Sequence, residues 1–170
     1  MSNSTYVTVK GKAYWAKVFP ENKDATGWDN ELTATGGQYV INLDLDTDSV
    51  LELTKLGSQT VDYPKEMQDE EGKDITTYKF KRLHEKYDKR GNLLEWASGA
   101  PKVKKADGTP WDIEEDSWIG NGSTVELRVC VYKAGKVVGT RLEEVKVIDH
   151  VPAPVKETDW AGLPTPREVA

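Results

Sequence analysis

The chain is poor in the residues that most often announce chemistry. Its 170 residues hold one cysteine and two histidines. Cys130 forms no internal disulfide, which suits a reducing cytoplasm. It has no CxxC partner and falls in an apolar strand, so it reads as a small buried or half-buried residue. His84 and His150 stand far apart in the sequence, and His84 sits among basic residues where a phosphate contact is as natural as proton transfer. No glycine-rich loop followed by lysine offers a phosphate cradle. Apolar runs are short, none near the ~20 residues that span a bilayer. The start, MSNSTYVTVKGKAYW, has no hydrophobic signal region, so nothing in it directs export. The run LDLDTDS, with Asp44, Asp46 and Asp48, opens like a calcium loop but lacks the central glycine and the closing glutamate at the right spacing. No metal, no cofactor and no enzymatic activity is expected.

What the chain has in quantity is charge, and the charge is sorted. The net charge is −6, with 31% of residues charged. Residues 43–75 carry ten acidic and three basic side chains. Residues 76–105 reverse this with nine basic and three acidic, and residues 106–118 hold five acidic and none basic. The flanks are neutral by the same count. The basic block opens on ITTYKFKRLHEKYDKRG, which sets Lys79, Lys81 and Arg82 around Tyr78 and Phe80, and runs on to Lys104. Six tryptophans and seven tyrosines against two phenylalanines bias the aromatics toward rings with a polar handle, which suit stacking surfaces as well as cores.

Most of the patterning is that of strands. Tyr6 to Phe19 is rich in β-formers, and Gly11 marks a bend or bulge. After the turn-rich loop PENKDATGWDNELTATGG, Gln38 to Leu45 alternates with Tyr39, Ile41, Leu43 and Leu45 on one side. Asp48 is the expected N-cap of a short helix, SVLELTKLG, stopped by Gly57. Strands follow at Ile75–Leu83, at Leu93–Lys104 beyond the turn DKRGN, and at Ser123–Lys133 and Val137–Val151. About five strands with one short helix predict an all-β chain: a five-stranded oligonucleotide-binding barrel with long loops. A β-sandwich is the rival. The expected organisation is one domain over 1–151 and a flexible tail over 152–170.

In a strand, Tyr78, Phe80 and Arg82 face one way and Lys79 and Lys81 the other. One reading has the rings filling the core while the lysines solvate the outside. The other has the lysines gripping phosphates while nearby rings stack on bases, as sequence-tolerant single-strand binders do. In SWIGNGSTVELRVCVY the glycines read as a strand-entry turn, and Trp118 as a staple of that loop to the barrel.

The GNGS turn, the strand ELRVCVY and RLEEVKVIDHV resemble, in order and spacing, the closing strands of the single-stranded DNA-binding proteins of short-tailed bacteriophages. TYKFKR, AYWAKVFPEN and YVINLDL fit the same scheme, which covers most of 7–151. The resemblance implies an oligonucleotide-binding barrel that coats single-stranded DNA with little sequence preference during phage replication and recombination, promotes annealing of complementary strands and dimerises. It implies work in the cytoplasm of the bacterial host, with no membrane association, beside the phage DNA polymerase and helicase-primase. It places the binding groove at Lys79, Phe80, Lys81 and Arg82 with Tyr78, adds Tyr14 and Trp15 from the first strand, and leaves Lys104 at the end of the basic block. The family ends in a long acidic tail closed by an aromatic residue. This sequence ends VPAPVKETDWAGLPTPREVA, so partner docking is weakened or runs through Trp160 and its neighbours. Two other functions are weighed against this one. A β-sandwich binding module for carbohydrate or protein would use Trp15, Trp28, Trp96 or Trp111, and a nuclease would use Asp44, Asp46 and Asp48 with magnesium.

Overall fold

A computed structural model describes residues 4–23, 37–69 and 71–152, with the side chains of Glu95, Trp96, Ser98 and Ala134 excepted. Trp28, Trp160 and the tail beyond Pro152 lie outside the described residues. In chain order the strands are β1 (Ser4–Lys17), β2 (Gln38–Leu45), β3 (Lys65–Gln68), β4 (Asp74–Leu83), β5 (Glu85–Tyr87), β6 (Leu93–Ser98), β7 (Lys102–Lys105), β8 (Ser123–Ala134) and β9 (Val137–Asp149). Helix α1 spans Thr47–Lys55, a single-turn helix α2 spans Ile113–Asp116, and 3-10 turns lie at Pro20–Asn22 and Gln59–Asp62.

Five of these strands close a ring. β1 pairs antiparallel with β2 and β8, β2 with β4, and β8 with β9. The ring shuts where β4 meets β9 in parallel, Lys81 opposite Arg141. One edge of β4 is divided between partners, its first half pairing with β3 and its second half meeting β9. β9 is divided likewise, meeting β4 and then running parallel to β7. This is the expected barrel, and the closed ring excludes the sandwich. β5 and β6 form a separate two-stranded sheet. The single strand expected over 93–104 is broken at Gly99–Pro101 into β6 and β7.

Alternation fills the barrel. Val125, Leu127, Val129 and Val131 of β8 are buried with Ile41 and Leu43 of β2, Phe80 of β4 and Leu142 and Val145 of β9. Each such side chain contributes about 1.5–3 kcal/mol on leaving water. Gly11 is not a bulge. A Cβ there would lie 2.3 Å from the Asp44 carbonyl oxygen, so glycine is what lets β1 cross β2 closely. The cap of α1 is Asp46 in place of Asp48, because Asp46 is extended and its Oδ1 accepts the Ser49 N–H at 2.8 Å. Asp48 instead sits in the first turn, where the helix dipole favours an anion. Leu53, wholly buried, docks α1 on the core with Val50 packed beside it.

Candidate nucleic-acid interface

The pairing of β1 with β2 slips between Tyr14 and Lys17, where β1 carries one extra residue. This bulge sets Trp15 in the left-handed region with φ 52°, a conformation that costs a bulky residue about 1–3 kcal/mol. The Trp15 N–H donates to Asn121 Oδ1 at 2.8 Å, which pins the bulge to the GNGS turn. The Trp15 side chain is turned outward, 45% exposed, with the Lys65 ammonium 4.9 Å from its ring centroid.

The GNGS turn is itself clamped. Gly120 N–H donates to the Val151 carbonyl at 2.8 Å, and Gly122 N–H to the Ala13 carbonyl at 2.8 Å. Ser123 Oγ donates to the Gly120 carbonyl at 2.8 Å and accepts the Val151 N–H at 2.8 Å. Trp118 packs on Phe19 with centroids 5.9 Å apart, and its carbonyl accepts from His150 Nε2 at 3.0 Å. The ring of His150 stands edge-on to Trp111. Trp118 is therefore a staple, as its position in the sequence suggested, and its remaining face stays exposed.

Two clefts result on the outer side of β2 and β4. The larger, about 710 Å³, is walled by Trp15, Lys17, Lys65, Trp118 and Asn121, with Val40 and Asn42 of β2 beneath and Lys79 at its edge. The smaller, about 380 Å³, shares Lys79 and adds Lys81, Tyr63, Tyr132 and the Gly139–Thr140 segment. Tyr63 is 72% exposed. Tyr132 lies over Gly139, where a Cβ would come within 2.7 Å of its ring, and carries the Arg141 guanidinium 5.5 Å from its centroid. The 3-10 turn that presents Tyr63 is fixed to β9 by a hydrogen bond between Ser58 and Thr140 hydroxyls. Four lysines and no carboxylate line these two clefts. Carboxylates line two separate hollows: Asp46, Asp48, Glu52 and Glu126 with Lys10 in one, and Asp44, Asp46 and Asp69 with Lys10, Lys12 and Lys73 in the other. Carboxylates are thus kept out of the two clefts. Among the described residues no group of three His, Cys, Asp or Glu side chains stands ready to hold a metal ion.

Of the residues singled out in the sequence, Lys79 shares one cleft with Trp15 and the other with Lys81. Five other candidates are corrected. Phe80 is wholly buried in the core. Tyr14 is 4% exposed but pairs with Asn42 on the outer side of the sheet, where it lines the hollow that holds Lys10, Lys12 and Asp44 and neither cleft. Tyr78 is half-buried and packs against the same core. Arg82, 9% exposed, follows Phe80 inward; its Nε donates to the Gly99 carbonyl at 2.9 Å and its Nη1 lies 3.5 Å from Glu143. Burial pulls the Arg82 guanidinium below the ordinary arginine value, and Glu143 works against that shift. Lys104 pairs with Glu144 at 2.8 Å and lines neither cleft. Its strand partner Lys146 lies five residues along β9 from Arg141, roughly 16 Å away at the usual rise. Lys17, Lys65, Tyr63 and Tyr132 escaped the sequence. Tyr63 alone left a signal there, a large ring among turn residues just before Pro64.

No protein-family model and no curated protein sequence matches the chain. Solved structures do. The single-stranded DNA-binding protein gp2.5 of bacteriophage T7 superposes with a TM-score of 0.53 at 20% identity, over 92% of this chain and 95% of that one. The single-stranded DNA-binding protein of bacteriophage Enc34, in complex with single-stranded DNA, gives 0.54 at 11% identity over 89% of each chain. The chain has the fold of the phage single-stranded DNA-binding proteins. A C-terminally truncated form of the Enc34 protein gives 0.53 at 10% identity, over 90% of this chain and 93% of that one. At such identities the likeness is one of fold, an oligonucleotide-binding barrel. Barrels of this kind bind on the face of their second and third strands and on the loops joining strands one–two and four–five. In this ring those strands are β2 and β4, and the loop between strands four and five is the β8–β9 turn, which is where the two clefts lie.

Proposed function

We propose that the chain binds single-stranded DNA without base chemistry of its own. The lysines of the two clefts grip phosphates and the exposed rings stack on bases. The observation that carries this reading is the meeting of two carboxylate-free clefts at Lys79 in a chain of net charge −6. Such a surface attracts a polyanion while the acidic remainder turns it away, and lysines gain affinity by releasing condensed counterions. Coating of DNA in phage replication and recombination, strand annealing, dimerisation and docking of a phage polymerase and helicase-primase are the roles that the family resemblance supports for such a binder.

Titration of the intrinsic tryptophan fluorescence with an oligo(dT) tests the proposal. Trp15 and Trp118 line the larger cleft, so saturable quenching is expected. The logarithm of affinity falls by about 0.7 per phosphate contact for each tenfold rise in salt, close to 3 for four lysines. Absence of binding at low salt overturns the proposal, and binding that ignores salt overturns the mechanism.

A further inference from the structure

The floor of the larger cleft holds a polar group that the fold does not satisfy. Asn42 lies on β2 between Tyr14 of β1 and Lys79 of β4. Its neighbours in sequence, Ile41 and Leu43, point into the core, so Asn42 and Val40 face the cleft instead. Asn42 is 8% exposed, and its Oδ1 is buried without a hydrogen-bond partner. A buried, unpaired carbonyl destabilises the free protein, whereas an apolar side chain of the same shape would not. The fold nonetheless carries an amide here, beneath two partly exposed tryptophans and in a space of about 710 Å³. That volume falls within the range of small-molecule pockets. A flat, apolar wall with one polar group at its base has the chemistry of a nucleobase site: a ring face to stack and an amide to meet the edge.

Resting on the proposed DNA-binding reading, we infer that this cleft takes one nucleobase of the bound strand, stacked on Trp15, and that the Asn42 amide bonds the base edge. An amide offers an acceptor beside a donor, which suits an amino group beside a ring nitrogen. Adenine presents that pair as N6 and N7, the edge that asparagine reads best. The chain therefore tolerates most sequence along its track but prefers adenine at one position.

The test uses oligo(dT) strands that just fill the binding site, each with one residue replaced by dA, by dC or by an abasic sugar, the replacement being walked along the strand. In the unaltered protein one position binds dA about fivefold more tightly than dT, the lower end of a bidentate contact, and the abasic strand is weakest at that same position. Asn42→Leu flattens the dA preference at that position. Its Tm is no lower than that of the parent, since the unpaired carbonyl is gone. If the abasic sugar is tolerated everywhere, or if Asn42→Leu keeps the dA preference, the inference falls. The walk on the unaltered protein decides even if Asn42→Leu does not fold. Failure to bind any strand defeats the DNA-binding reading itself, whereas binding without positional preference defeats only this inference.

Discussion

Lys81 and Arg82 are neighbours with opposite fates, and the pleat of β4 separates them. Lys81 stands outside in a cleft, while Arg82 is drawn inward, bonded to the Gly99 and Leu142 carbonyls and to Glu143. Arg82→Ala leaves Glu143 half-buried with one cation fewer, so it should cost about 3 kcal/mol in a urea melt, with the salt slope of DNA binding unchanged. A drop in that slope would return Arg82 to the DNA. Gly120 makes a second residue-scale case. A Cβ there would sit 2.4 Å from the Val151 carbonyl and 2.6 Å from that of Pro152. Backbone does not yield as a side chain does, so Gly120→Ala should lower stability by about 3 kcal/mol in the same melt. Sequence alternation already showed Lys79 and Lys81 opposite Phe80. It did not show which of the two faces was the core, because period 2 is symmetric until the sheet closes. Arg82 misled for this reason: a cation within an inward row looks, in sequence, like part of the basic surface.

At the scale of elements, the long strands were legible and the devices that aim side chains were not. β2, β4, β8 and β9 announced themselves by alternation and β-branched residues. The β1 bulge did not, since a single extra residue in one strand exists only relative to its partner. Nor did β3, whose four residues carry two charges and one polar side chain and are held by pairing with β4. Two of the four lysines, Lys17 and Lys65, stand on these unannounced features. With the outer face of β4 as the phosphate track, Lys79→Ala and Lys81→Ala should each lower the salt slope by about 0.7, as read from titrations at several salt concentrations. Lys104→Ala on β7 should leave the slope alone. Its effect belongs to pH: Lys104 holds the Glu144 carboxyl below its ordinary 4.5. The pairing stabilises the fold above the usual glutamate range and is lost as pH falls through the depressed value. Both side chains are about one-third exposed, so the difference between Lys104→Ala and the parent should stay under ~1 kcal/mol near neutrality. It should vanish in acid melts carried out below that depressed value.

For the molecule as a whole, the seams of the barrel are unequal. β8 runs along β9 and β1 over long antiparallel registers, whereas β4 and β9 meet in parallel at Lys81 and Arg141 alone. The arginine side of that junction carries the cluster of Arg82, Arg141 and Glu143. Hydrogen exchange should therefore show the amides around Lys81 and Arg141 opening before those of Leu127 or Val129. Equal protection at both seams would contradict this ranking. The ring closure joins residues 60 positions apart, and no local pattern encodes it. The expected barrel came from strand count, helix position and an ordered resemblance, and the sheet pairing then supplied the surface on which basic and aromatic residues from five separate stretches converge.

The Lys65 ammonium rests on the Trp15 ring in the unbound protein. On the proposed function this makes binding an exchange at that ring: a base displaces a cation, and the cation is handed to the strand that evicted it. Lys65→Ala removes both the occupant of the ring and a contact for the strand. The variant should bind more weakly than the parent in dilute salt, where the lost charge dominates. In concentrated salt, where a screened lysine is chiefly an obstacle to stacking, it should bind more tightly. Plotted against log salt, the two affinities should cross.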